Sequence, residues 1–141
     1  MTFREDRQVQ VEIKPASALF VIAMACLARF DIATLCLLVG SVLAHEAAHL
    51  IMAQRFGIRV KAVGMALWGP YLRRSSAIGA PEAITALAGP IASLALALST
   101  TGVLSLFNWS MFVVNMLPLP GSDGMHAIRA LAPSKAEPPP A

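Results

Sequence analysis

The sequence contains few charged residues, which argues against an ordinary water-soluble domain. Only 13% of its 141 residues are Asp, Glu, Lys or Arg, whereas hydrophobic residues make up 57% and the mean hydropathy is +0.67. A soluble domain of this size exposes much of its surface and typically carries about a quarter charged residues. The composition therefore predicts a membrane protein with several lipid-facing segments.

Aromatic residues and cysteines are also scarce. Aromatic residues are 6% of the chain and do not alternate with Arg or Lys clusters, so the net charge of +3 does not indicate a nucleic-acid partner. The only cysteines, Cys26 and Cys36, lie within apolar runs. We expect them to be small buried hydrophobic residues rather than a disulfide pair.

The N-terminal segment does not resemble a cleaved signal peptide. Residues 1–14 are polar and mixed in charge for longer than the short basic region of such a peptide. We therefore expect residues 1–141 to be retained.

Short stretches of alternating apolar and polar residues predict a small β element. They cover residues 9–13, 58–63 and 72–78, and turn residues from Trp68 to Tyr71 connect the last two. A plain juxtamembrane linker explains residues 9–13 equally well, and an irregular basic loop is the alternative for the later region.

Longer apolar stretches predict the membrane helices. Residues 16–28 and 32–54 are two such stretches, and residues 83–122 contain no Asp, Glu, Lys or Arg. At about 1.5 Å per residue the last stretch crosses a bilayer of about 30 Å twice, with a reversal between Thr100 and Asn108. The predicted fold is an all-α membrane protein with about four transmembrane helices and a small membrane-associated β element. Residues 1–131 form its core, with helix to Leu131, and residues 132–141 form a disordered proline-rich tail.

The basic residues predict the orientation of these crossings. If four segments cross in turn, Arg29 alone among Lys and Arg lies on one side, so both termini are predicted to be cytoplasmic. The second crossing then ends near His45 and His49, and the fourth ends near Asp123. These side chains are therefore expected at one depth in an integral, multi-pass protein.

The sequence His45-Glu46-Ala47-Ala48-His49 is the strongest chemical signal in the chain. Positions i and i+4 share a helix face, so both histidines can bind one Zn²⁺ ion, with Asp123 as a third ligand. Water would take the fourth position, and Glu46 would act as its general base. The alternatives are hydrogen-bonded histidines within a helix bundle, an interfacial Glu46, and a capping or turn role for Asp123.

Other candidate ligands fit less well. His126 follows Asp123 by one helical turn, and we favour an outer or interfacial role for it over metal binding. The extended soluble-protease pattern requires Gly and His where this chain has Met52 and Arg55. A distal ligand role for Glu82 leaves the apolar runs unexplained.

Three motifs together resemble the site-2 protease family of intramembrane zinc metalloproteases. They are HEAAH at 45–49, Ala88-Gly89-Pro90, and the NxxPxxxxDG pattern from Asn115 to Gly124. The resemblance implies His45, His49 and Asp123 as zinc ligands, Glu46 as general base and Asn115 as a substrate-positioning or oxyanion-stabilising residue. It also implies a sheet that pairs with an extended substrate segment. Ser122 and Met125 depart from the family's common Leu-Asp-Gly-Gly.

The predicted function is therefore zinc-dependent cleavage of peptide bonds within or beside the membrane. The expected partners are the lipid bilayer and membrane-anchored protein substrates, with no nucleic acid. The alternative is a non-catalytic zinc-binding membrane scaffold or partner subunit, which shares the ligands and differs in the role of Glu46.

Overall fold

The structure, a computed structural model, describes residues 9–29, 31–66, 69–75 and 77–132. Its helices and strands follow the predicted order, but the helix predicted to end near Asp123 ends at Met116, and a separate helix begins at Asp123. The predicted tail lies almost wholly outside the described residues. The elements are β1 (Gln10–Ile13), α1 (Ser17–Leu27), α2 (Ile32–Arg55), β2 (Val60–Ala66), β3 (Gly69–Arg74), α3 (Ala80–Ser99), α4 (Gly102–Met116) and α5 (Asp123–Leu131).

Side-chain caps define where two of the helices begin. The Asp31 carboxylate accepts a hydrogen bond of 2.7 Å from the Thr34 amide at the start of α2. The Ser122 hydroxyl accepts one of 3.2 Å from the Met125 amide at the start of α5. Each cap satisfies a backbone N–H that has no partner within its helix, so the sequence itself fixes these boundaries.

The three strands form one sheet in the order β1-β2-β3. β1 pairs with β2 in parallel, and β2 pairs with β3 in antiparallel fashion. β3 is therefore an edge strand among the described residues, and it tolerates Pro70, which lacks the N–H that a central strand must donate. The structure thus contains the predicted strands, with β2 ending later and β3 both beginning and ending earlier than the sequence pattern indicated.

Helix α3 lies at the centre of the helical part and packs against α2, α4 and α5. Its contact with α5 consists of small buried side chains, which allow the two backbones to approach closely. These residues are Ala83, Ala86, Ala127 and Ala130. The Gly79 amide also donates a hydrogen bond of 2.8 Å to the Ala130 carbonyl, which fixes the start of α3 against the end of α5.

Within the described part of the chain, two helices are long and apolar enough to cross a membrane: α2 with 24 residues and α3 with 20. The apolar helices α1 and α4 have 11 and 15 residues, fewer than the roughly 20 of a perpendicular crossing. The structure thus supports a mostly helical fold with two candidate spans, and the four-crossing arrangement stays a prediction.

Asn108 and the two cysteines differ from expectation. The chain reverses at Thr100 and Thr101, whereas Asn108 lies within α4, fully buried, and donates a hydrogen bond of 3.0 Å to the Ser41 hydroxyl. Its amide joins two helices, which the composition of residues 100–108 did not reveal. Cys26 and Cys36 are unpaired, as expected, but exposed, because both lie on outward faces of their helices.

Candidate metal centre

Two imidazole rings lie one helical turn apart on the inner face of α2. His45 and His49 are each 3% exposed, and their Nε2 atoms are 3.2 Å apart. Both rings project toward α3, because positions i and i+4 share a helix face. The helical period therefore brings two ligand atoms of the same type to one point.

Helix α5 supplies a carboxylate to the same point. Asp123, the first residue of α5, places Oδ2 3.2 Å from Nε2 of His45 and 3.2 Å from Nε2 of His49. The Asp123 side chain is 15% exposed, whereas the imidazoles are almost fully enclosed. The three residues, called here the histidine–aspartate cluster, thus come from two helices that are far apart in sequence.

The other ring nitrogens are held by residues of α3. His49 Nδ1 lies 2.8 Å from the Thr85 carbonyl, and His45 Nδ1 lies 2.8 Å from the Ser93 hydroxyl. A carbonyl only accepts hydrogen bonds, so the Nδ1 of His49 carries a proton, which leaves Nε2 available as a ligand. Because His45 meets Ser93 and His49 meets Thr85, α2 and α3 run antiparallel here.

Gly89 lies between these two contacts and leaves room for the rings. A Cβ atom on Gly89 would collide with Nε2 of both His49 and His45. The ligand atoms therefore face the bare backbone of α3 at this point. Any larger residue would occupy the space beside the ligand atoms.

The cluster fits a tetrahedral metal ion with an open position. Its three ligand atoms lie within 4.8 Å of one another in the described part of the chain. Zinc binds nitrogen and oxygen at about 2.0–2.2 Å, and tetrahedral geometry then places ligand atoms roughly 3.3 Å apart. The observed separations of 3.2 Å match this value. Two histidines and one carboxylate form a donor set of the kind used in catalytic zinc sites.

Comparisons with known proteins agree with the interpretation of this cluster as a zinc site. No protein-family model matches the chain. It is 34% identical, in an alignment 116 residues long, to "Putative zinc metalloprotease Rip3" from two strains of Mycobacterium tuberculosis. The match covers 67% of this chain and 29% of those relatives. Its fold resembles that of the site-2 protease from Methanocaldococcus jannaschii, with a TM-score of 0.66, 21% identity, and coverage of 85% of this chain and 65% of that one. These similarities support the site-2 protease family that the sequence motifs resemble.

Two residues that the family pattern singles out lie outside the cluster. Glu46 follows His45 on α2, is half-buried, and lies within electrostatic range of His49, His45 and Asp123. The Asn115 amide donates a hydrogen bond of 2.9 Å to the Met111 carbonyl of its own helix, so this bond does not reach the cluster. A Cβ on Gly124 would lie 3.2 Å from the Asn115 carbonyl, which places the Asn115 backbone beside the start of α5.

His126 and Glu82 have other surroundings. His126 is exposed on α5 and lines a groove that faces β3. Glu82 is buried at the start of α3, where Arg74 donates hydrogen bonds of 2.9 and 3.1 Å to its carboxylate. The preference for a non-ligand role of His126 thus agrees with its position, and Glu82 joins α3 to the sheet.

Sequence reasoning missed Thr85 and Ser93, the residues of α3 that hold the rings, and it named Gly89 only as part of a family motif. Thr85, Gly89 and Ser93 are spaced by four residues, so they share one face of α3, as His45 and His49 share one face of α2. A row of small or polar residues spaced by four on each helix indicates that these two faces can pack against each other. The sequence alone shows each row, but it does not show which helix faces which.

Proposed function

We propose that the chain is the core of a zinc-dependent endopeptidase that hydrolyses peptide bonds within or beside a membrane. The observation that carries the proposal is the histidine–aspartate cluster, whose ligand atoms are 3.2 Å apart beside the bare backbone of Gly89. The name of the mycobacterial relatives supports zinc as the metal.

The proposed roles follow from the chemistry of each side chain. His45, His49 and Asp123 hold the metal, and Thr85 and Ser93 orient the rings. Zinc bound there would lower the pKa of water toward about 7 and polarise a peptide carbonyl. Glu46 takes a proton from the attacking water and delivers it to the leaving amine.

The substrate is proposed to be a membrane-anchored protein held in extended form. α2 and α3 are the candidate spans, and both carry residues of the site, so cleavage takes place at membrane depth. The outer edge of β3 offers main-chain groups to which a substrate strand can add. Asn115, near Gly124, would position the substrate or stabilise its oxyanion. Cytoplasmic termini and a core of residues 1–131 complete the proposal.

The alternative, a non-catalytic zinc-binding scaffold, uses the same ligands and differs at Glu46. We expect Glu46→Gln to keep bound zinc and to lower the rate of cleavage of a model transmembrane substrate by about 10²- to 10⁴-fold, the usual contribution of a general base. Zinc content of detergent-purified protein and cleavage in proteoliposomes measure the two effects.

Asp31→Asn is the matched control, because it also removes a carboxylate from α2 but retains a good N-cap. It is expected to bind zinc and cleave normally. Unchanged cleavage in Glu46→Gln contradicts the mechanism. Full zinc occupancy without cleavage in the unsubstituted protein supports the scaffold.

A further inference from the structure

A groove runs along the outer edge of β3 and is closed on its other side by α5. Its volume is about 500 Å³. Successive residues of a strand point to opposite faces of a sheet. Because Tyr71, Leu72, Arg73 and Arg74 all line the groove, it follows the strand edge rather than one face. A groove of this shape fits an extended peptide better than a compact ligand.

The groove carries an excess of positive charge. Arg73 is paired with Glu12, and Arg74 is paired with Glu82, so these two arginines are compensated. Arg129 projects from α5 into the groove and has no ion-pair partner among the described residues. His126 lies one helical turn before Arg129 on the same wall. The uncompensated charge therefore comes from α5.

The groove adjoins the histidine–aspartate cluster at two points. α5 begins with Asp123, and the two groove residues His126 and Arg129 follow it along the same helix. On the opposite wall, Arg74 lies within electrostatic range of Glu46. A peptide that lies in the groove therefore approaches the cluster from one side.

We propose that this groove selects substrates with an acidic side chain close to the scissile bond, which pairs with Arg129. The proposal rests on the proposed function and specifies the class of peptide that the site accepts. An anionic lipid headgroup would use the same cations but not the outer edge of β3. The strand edge therefore favours a peptide.

The test measures peptide binding separately from cleavage. The full chain with Glu46→Gln, in nanodiscs of phosphatidylcholine, is titrated with labelled peptides that differ only by Glu, Gln or Lys near the scissile position. We expect the Glu peptide to bind about fivefold more tightly than the Lys peptide at low salt, since an exposed ion pair is worth up to about 1 kcal/mol. The ratio should fall as salt is added.

Arg129→Glu should reverse the order of the two peptides, and Arg129→Gln should reduce the ratio toward one. Arg55→Glu, an exposed charge reversal at the end of α2 outside the groove, is the matched control and should keep the preference. An unchanged preference in Arg129→Glu overturns the proposal. A preference that appears only with phosphatidylglycerol also overturns it and indicates a lipid headgroup.

The same measurements distinguish a failure of the proposed protease function from a failure of the groove proposal. If the unsubstituted protein cleaves no substrate but still prefers the Glu peptide in an Arg129-dependent way, the groove is confirmed as a peptide site without the protease activity. If it cleaves Glu and Lys substrates with equal kcat/KM, the groove proposal is overturned while the protease activity stands.

Discussion

Two polar clusters among the described residues each consist of one carboxylate contacted by two other side chains, but their surroundings differ. The histidine–aspartate cluster joins α2 to α5 and is almost fully buried. On the sheet, Glu12 of β1 accepts a hydrogen bond of 2.5 Å from Tyr71 and one from Arg73, both of β3. The Arg73 and Glu12 side chains are 56% and 30% exposed. Solvent screens the second cluster but not the first, so similar contacts differ in energetic weight.

Each cluster also lies over a glycine of another element. Gly89 of α3 faces the imidazoles, and a Cβ on Gly64 of β2 would lie 2.5 Å from the Tyr71 ring. The rings at Gly89 are fixed by further hydrogen bonds to α3 and cannot move aside. The Gly64 Cβ would also lie 2.7 Å from the Glu12 carbonyl oxygen, which belongs to the backbone of β1 and cannot turn aside. Both glycines are therefore expected to resist substitution, Gly89 because of the fixed imidazoles and Gly64 because of the neighbouring strand.

Among the substitutions that compare the two clusters, Gly89→Ala is expected to have the largest effect. The added methyl group collides with Nε2 of His45 and His49, so we expect most of the bound zinc to be lost. Cleavage should fall by about a hundredfold, the effect of a misplacement of roughly 1 Å in an active site. Zinc analysis and a cleavage assay on the purified protein measure both.

Gly40→Ala is the matched control, because Gly40 lies within α2 and no atom lies within 4 Å of the position that the added methyl group would take. It should keep zinc and stabilise the protein by about 0.5–1 kcal/mol through helix propensity. Normal zinc binding by Gly89→Ala would show that the rings can move aside despite their hydrogen bonds to α3.

A smaller effect is expected from Ser93→Ala. The substitution removes the hydroxyl that lies 2.8 Å from His45 Nδ1, while the ligand atom itself remains. Loss of such an outer partner typically lowers metal affinity about 10- to 100-fold. Competition with a fluorescent zinc chelator measures this change.

Ser99→Ala is the control on the same helix, because its hydroxyl is exposed and donates a hydrogen bond to the Ala95 carbonyl, away from the cluster. It should leave zinc affinity unchanged. Equal affinities in Ser93→Ala and the unsubstituted protein would show that packing against α3, rather than this hydrogen bond, orients His45.

Much of the fold follows from local sequence signals. Asp31 caps α2 where the sequence pattern begins that helix, and the alternating strands are present. The residues whose positions the sequence did not predict are those held by contacts with distant parts of the chain. Asn108 is a polar residue that composition assigns to a loop, yet its bond to Ser41 keeps it inside α4. No local pattern contains that partner.

In the candidate site, too, some features follow from local sequence and others depend on contacts between distant helices. The HEAAH spacing predicts that His45 and His49 share a face, and the charge distribution predicts that Asp123 lies at their depth. The structure brings the three ligand atoms together. The roles of Thr85 and Ser93 depend on how α3 is rotated about its own axis. Helical periodicity leaves that rotation open until the packing partner is known.

The smallest expected effect tests the exposed cluster by pH. The hydrogen bond from Tyr71, with the charge and hydrogen bond of Arg73 and the charge of Lys14, outweighs desolvation and holds the pKa of Glu12 below its ordinary value of 4.5. A carboxyl group with a lowered pKa in the folded state contributes stability above its unfolded pKa. That contribution is lost as the pH falls through the folded value. Glu12→Gln should therefore lower Tm slightly at pH 7, and the difference from the unsubstituted protein should disappear in acid. Zinc content at pH 7 should not change, because the substitution leaves every residue of the histidine–aspartate cluster in place. A loss of zinc in Glu12→Gln would show that the sheet and the bundle are coupled, so that the exposed cluster helps to position the buried one.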